Sequence, residues 1–327
     1  MKGWSEMEKG DYSFSTCWNI KRYMDDGRGM VEEIKELGFQ QVELNYNVTD
    51  VHLSAIEPMI ERGEIGISSV HNVFPHTPDP DYGTDSVLLG FEDEMKRKRA
   101  VETLIGSMEY AHRYGAKAVV VHPGEVPFEN EIDSRLKKIY REEGRNSALY
   151  ERVFQEMLNK RDQAAPKYLN TIVQSLTEAC EYAAKKQWNI AIGIETRSRC
   201  NQMPTLKEAK MILICDELAG AGVYLWYDIG HATMMERMGL YDNKEQLQEV
   251  LPYIYGVHIH ETVGLSDHYC PYIHSQDRDD FDRFLPAINQ AKVKVYELKS
   301  ICTPEEIHAS HNLLLEKLKV GTEEWMR

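Results

Sequence analysis

Eight short β-rich runs alternate with helix-patterned or mixed stretches along the chain. This alternation constrains the fold more than any other feature of the 327 residues. The runs fall at 12–17, 40–46, 65–71, 116–122, 189–195, 223–228, 255–260 and 293–298. Between them apolar residues recur at helical spacing, as at Met30, Val31, Ile34 and Leu37, with Gly38 as the stop. Further helices are predicted over 92–114, 166–186, 205–219, 242–251, 278–290 and 304–319. A strand, a helix and a second parallel strand form a βαβ unit, and eight in succession close a (β/α)8 barrel. The expected fold class is therefore α/β: one TIM-barrel domain over 1–327, its core at about 12–319. An open doubly wound sheet that binds dinucleotides would want GxGxxG after the first strand, and none is there. Two stretches, 72–90 and 124–160, exceed what a connection needs. They follow strands three and four, so they should lie over the barrel mouth, with Phe74, Phe128 and Tyr140 as candidate pocket walls. For 124–160 a surface decoration or a dimer contact, and hence a homo-oligomer, is the alternative.

Composition narrows the function classes. Lys and Arg total 38 against 53 Asp and Glu, a formal charge of −15 that opposes nonspecific attachment to nucleic acid or anionic membrane. The basic runs Lys96-Arg97-Lys98-Arg99 and 135–145 are interleaved with acids and read as solvated helix faces. No apolar run is long enough to span a bilayer. The first residues, MKGWSEMEKGDYSFSTC, carry acids where a secretory leader needs an apolar stretch. The six cysteines are scattered, with no CxxC, and read as free thiols of a reducing, cytoplasmic compartment.

Chemistry-bearing residues gather at strand ends. His71 closes the third strand, His122 the fourth, Glu195 the fifth and Asp228 the sixth, with His231 three residues on. His258 lies in the seventh and Glu297 near the end of the eighth. All strand C-termini of a parallel barrel open on one face, so these residues should converge. Histidine with carboxylate is the ligand chemistry of zinc, manganese, cobalt or iron. A carboxylate ending an apolar strand, as Glu195 ends NIAIGI and Asp228 ends VYLWY, is costly unless paired or metal-bound. A lone strand histidine is more often structural, so the set weighs more than its members. His258 and His260 are expected on opposite sides of the barrel wall, with at most one facing the mouth. Asp267 and His268 lie in the following loop and are within reach of it. His52, His76, His112, His274, His308 and His311 read as surface or structural residues.

The motifs VVVHPG, IGIETR, YDIGHA, GVHIHE and VYELKS resemble those of the xylose-isomerase-like barrels, over roughly residues 12–319. That superfamily holds sugar and sugar-phosphate isomerases and epimerases, inosose dehydratases and endonuclease IV-type apurinic/apyrimidinic endonucleases. The resemblance implies one metal, zinc or manganese, held by Glu195, Asp228, His258 and Glu297, and it selects His258 over His260 as the ligand. It implies that the two glutamates also flank the substrate carbon and that His231 binds substrate. The endonuclease pattern implies up to three ions, the others held by His71, His122 and Glu195, and by His231 with an Asp-x-His. Here Asp267 and His268 are adjacent instead, and the epimerase arginine expected after strand seven is absent from 259–271.

Two activities follow as expectations. The first is a metal-dependent isomerase or epimerase of a sugar or polyol derivative, with Glu195 and Glu297 moving a proton beside a carbonyl. The second is a multi-zinc phosphodiesterase of the endonuclease IV type, which the charge of −15 disfavours.

Overall fold

The structure, a computed structural model, describes residues 10–128 and 131–325, except for the side chains at 278–279 and 320–325. The stretch read against a secretory leader lies outside the described residues over 1–9. No described helix is long and apolar enough to cross a membrane.

The elements run β1 (Ser13–Ser15), α1 (Gly27–Glu36), β2 (Gln41–Leu44), α2 (Asp50–Glu61), β3 (Gly66–His71), α3 (Glu94–Arg113), β4 (Ala118–Val121) and β5 (Gly124–Glu125). Then come α4 (Ile132–Glu143), α5 (Ala148–Lys186), β6 (Ala191–Glu195), β7 (Gln202–Met203), α6 (Leu206–Ile214), β8 (Val223–Asp228), α7 (Ile229–Met238) and α8 (Asn243–Val250). The chain ends with β9 (Ile254–Ile259), β10 (Glu261–Val263), β11 (Ser266–Tyr269), α9 (Leu285–Gln290), β12 (Val293–Tyr296) and α10 (Pro304–Trp325). Strands β1, β2, β3, β4, β6, β8, β9 and β12 close a barrel in that order, every neighbouring pair parallel. This is the TIM barrel that the alternation predicts.

Side chains alternate across each strand. One set, including Val119, Val121, Ile192, Ile194 and Val257, packs in the large apolar cluster that also holds the helices. The other set fills the barrel interior: Ala118, Val120, Ala191, Trp226, Val293 and Val295 form a separate apolar cluster. The indole of Trp226 leaves no room for neighbours, since a Cβ on Gly256 would lie 2.2 Å from its ring and one on Gly193 2.8 Å. Two residues further along these interior columns stand polar groups. Val120 leads to His122, Gly193 to Glu195, Trp226 to Asp228, Gly256 to His258 and Val295 to Glu297. The apolar plug therefore ends where the chemistry begins.

The 124–160 stretch is not a loop. Helix α4 pairs with the first part of α5, a helix of 39 residues that continues through Pro166. The predicted helix 166–186 is its second half. Buried residues Val153, Met157, Arg161, Leu169, Ile172 and Leu176 lie on a face that runs past the proline, so packing outweighs the hydrogen bond that Pro166 removes. The antiparallel pair β5–β7 joins the segment after β4 to the segment after β6. Asp133 accepts from Cys200 N at 3.0 Å, and Lys137 Nζ donates to Ser198 O at 2.8 Å. The insertion thus braces the segment that follows β6.

The three suggested pocket walls sit elsewhere. Phe74 is 3% exposed and packs edge-on against Tyr110 of α3. Tyr140 meets Tyr150 inside the α4–α5 hairpin. Phe128 lines a groove of about 330 Å³ with Val126, Ile132 and Met157. Two aromatics do stand beside the strand histidines: Tyr46, 5.1 Å from the His71 ring between centroids, and Trp226, 5.4 Å from the His258 ring.

Candidate metal centre

The four residues read as one ligand set converge. Asp228 closes β8 and caps α7, its Oδ1 accepting the His231 N–H at 2.7 Å. The other oxygen, Oδ2, lies 3.4 Å from His258 Nδ1, which is also 3.1 Å from Glu297 Oε2 and 3.8 Å from Glu195 Oε2. All four are at most 5% exposed. His258 Nδ1 is buried and, among the described residues, has no hydrogen-bond partner although three carboxylates surround it. On the far side of the ring Nε2 stands 3.1 and 3.2 Å from the two oxygens of Glu43. A proton donated from Nε2 to that carboxylate leaves the Nδ1 lone pair facing the other three. Such a gap suits a divalent ion, and a carboxylate behind the ligating histidine is the usual support of one. The donors present therefore fit the metal that the ligand chemistry implies.

Electrostatics point the same way. Burial alone would raise the pKa of Glu195, but His122 and Arg197 hold it well below the ordinary carboxylate value. Asp228 is likewise held well down, against its burial, by His231 and His260. Burial would lower His258, yet Glu297 and Glu43 push it well above the usual imidazole value. His231 rises to about 9, because Asp228 and Glu195 outweigh its burial. The cluster calls for positive charge at its centre.

Around this centre lie two further clusters among the described residues. In the first, His71 Nε2 and His122 Nε2 reach Glu195 Oε2 at 3.1 and 3.0 Å. His71 is raised despite its burial, through Glu195, whereas burial and Arg197 lower His122. In the second, His231, His260 and His268 each offer a ring nitrogen to a common point. Asp267 is beside them, 3.7 Å from His231 Nε2. Strands β10 and β11 form the hairpin that carries this pair. A left-handed backbone at His268, φ 62°, breaks strand alternation there, so that adjacent Asp267 and His268 both approach His231.

The expected split of His258 and His260 does not occur. Residues two apart on a strand share a face, so both point inward. His260 Nε2 lies 2.9 Å from Asp228 Oδ2, and its Nδ1 accepts the His268 N–H at 2.9 Å. The glycine in DIGH is what admits that ring, since a Cβ on Gly230 would come within 2.1 Å of His260 Nδ1 and Cε1. We expect Gly230→Ala to push His260 off Asp228 and lower divalent-ion affinity ~10–100-fold, the usual cost of disturbing such support. Titration with manganese or zinc checks this.

Four residues here escaped the strand-end reading. Glu43, which takes a hydrogen bond from Ser69 Oγ at 2.8 Å, sits within β2 between Val42 and Leu44. The rule that flagged Glu195, a carboxylate in an apolar strand, would have found it. His260 follows His258 by one period. Arg197 stands one period beyond Glu195, 3% exposed, donating to Glu195 Oε1 at 2.9 Å and to Asp85 at 2.8 Å. Asp85 comes from the 72–90 insertion, among prolines and aspartates, and nothing in the sequence marks it. Through it that insertion does reach the mouth.

A model of the xylose isomerase-like TIM barrel family matches residues 31–309. No curated protein matches the chain. Among solved structures, a D-tagatose 3-epimerase-like protein is 19% identical with a TM-score of 0.63, over 96% of this chain and 99% of that one. A 3-keto-D-glucoside 4-epimerase from E. coli is 16% identical with a TM-score of 0.61, over 94% and 100%. A D-allulose 3-epimerase from Methylomonas sp., in complex with D-allulose, is 13% identical with a TM-score of 0.56, over 96% and 97%. At these identities the likeness is one of fold.

Proposed function

Because the chain belongs to the xylose isomerase-like TIM barrel family, we propose that it is a divalent-metal-dependent isomerase or epimerase of a sugar or related polyol derivative. The observation that carries this reading is the buried, unpartnered His258 Nδ1 enclosed by Glu195, Asp228 and Glu297. These four would hold the ion, zinc or manganese by donor type. When bound, the ion supplies Lewis acidity that lowers the cost of negative charge on oxygens next to the reacting carbon. Glu195 and Glu297 then stand on two sides of the substrate carbon. One takes the proton beside the carbonyl and the other returns it. Glu195 stays ionised through His122 and Arg197, as a base must. His231 donates toward Glu195 and Thr196 O and orients that carboxylate. The similar structures are of sugar epimerases or epimerase-like proteins, which supports the substrate class.

The runner-up, a multi-zinc phosphodiesterase, draws on the two flanking clusters. The basic run at 96–99 does not support it. Lys96 pairs with Asp81, Arg97 with Glu94 and Glu178, Lys98 with Glu94 and Arg99 with Asp79. Carboxylates interleaved with these cations lower the positive potential that phosphates would meet there.

Purified protein loaded with manganese or zinc should exchange a carbon-bound proton of a ketose, aldose or related polyol with deuterated solvent, followed by NMR. Chelation should abolish the exchange, and re-addition of the ion should restore it. Cleavage of a phosphodiester with no exchange on any sugar would move the assignment to the runner-up.

A further inference from the structure

We propose that Arg197 closes the cluster of His71, His122 and Glu195 to a second metal ion. The site it closes is built. His71, His122 and Glu195 are 1%, 6% and 1% exposed. Their facing atoms are 3.0 and 3.1 Å apart, close to the ~3.3–3.6 Å edges of a tetrahedron with ligands at ~2.0–2.2 Å. Each imidazole is set by its other nitrogen. His71 Nδ1 donates to Asn72 O at 3.1 Å, and His122 Nδ1 donates to Asp85 Oδ1 at 3.0 Å. Both Nε2 lone pairs are thereby turned toward Glu195, as they are in histidines that ligate an ion.

The guanidinium takes up one of those lone pairs. Arg197 Nη1 makes a short hydrogen bond to His122 Nε2 and a second, at 2.9 Å, to Glu195 Oε1. One lone pair cannot serve both an N–H and a metal ion. Guanidinium also keeps its charge at any working pH, so it repels a dication at this distance without being titrated away. Asp85 clamps it, accepting from Nη2 at 2.8 Å while it orients His122. Gln202 Nε2 holds the same oxygen at 3.2 Å, and Arg199 approaches the other at 3.5 Å. Arg197 Nε has no partner among the described residues, so the side chain is placed by these Nη contacts.

This inference builds on the one-metal reading, but its test counts ions and needs no sugar. Wild type, Arg197→Met, His71→Ala and the double variant are equilibrated with zinc, freed of excess and analysed for zinc per chain. Arg197→Met should hold one ion more than wild type. His71→Ala should remove that gain in the double variant and should leave the wild-type count unchanged. Cobalt should report the added site as new tetrahedral d–d absorption. An unchanged count in folded Arg197→Met would overturn the proposal, as would a gain that survives His71→Ala. Should Arg197→Met not fold, His71→Ala alone still decides: an ion lost from wild type means that the site is already open. Failure of the sugar reading would show separately, as absent proton exchange in the wild type.

Discussion

Glu297→Gln is expected to lower turnover ~10²–10⁴-fold, the usual contribution of an acid–base group, while the protein keeps its divalent ion. The substitution preserves shape and one oxygen donor and removes only the charge and the base. Its local geometry should survive, because the backbone here is held independently. His268 Nδ1 donates to Glu297 O at 2.8 Å, and Lys299 N donates to His268 O at 2.8 Å. Of the two proposed proton carriers Glu297 is the cleaner to test. Glu195 also meets His71, His122, His231 and Arg197, so its neutralisation would disturb all four. The measurement is ions per chain beside kcat and solvent exchange of the substrate's carbon-bound proton. Undiminished exchange would remove Glu297 from the proton path. Loss of the ion together with turnover would make Glu297 a ligand first, and the chemistry would then rest on Glu195.

The barrel was legible because each strand is a short apolar run bounded by turn residues, and eight parallel units have one compact way to close. Helix α7 was not legible. Ile229, Gly230, Ala232, Thr233, Met234 and Met235 are all buried, and a helix covered on every side shows no amphipathic period. Pro166 marked the predicted start of a helix, whereas tertiary packing carries α5 straight through it. The predicted helix 278–290 is a run of 3-10 turns, Arg278–Phe284, before the short α9. At the site, residues that end strands were visible, since an apolar run makes a terminal His or carboxylate conspicuous. Glu43 and His260 needed the inward column to be followed strand by strand. Asp85 was out of reach, because its position depends on how the 72–90 insertion folds back over the mouth.

Removal of one buried charge should cost the fold most. Arg161 of α5 is 3% exposed and sits beneath the segment that carries Arg197. It donates from Nε to Cys200 O and from Nη2 to Gln202 O, each at 3.0 Å, and from both Nη atoms to the Glu208 carboxylate. Glu208 in turn caps α6, accepting from Thr205 N at 2.7 Å. Burial would lower the Arg161 pKa, but Glu208 holds it above the usual value, so the side chain stays charged. Arg161→Ala leaves a buried carboxylate unpaired and two carbonyls without donors, a loss of ~3–5 kcal/mol. Chemical denaturation of the two proteins measures it. The pair itself need not favour the fold so strongly, because each charge was also taken out of water. Arg161→Met with Glu208→Leu should therefore cost less than Arg161→Ala alone, although the α6 cap is lost as well. A single-variant cost below ~1 kcal/mol would mean that water reaches Glu208. If the guanidinium does fix the 196–204 segment, Arg161→Ala should also loosen Arg197, and zinc per chain should rise in any fraction that stays folded.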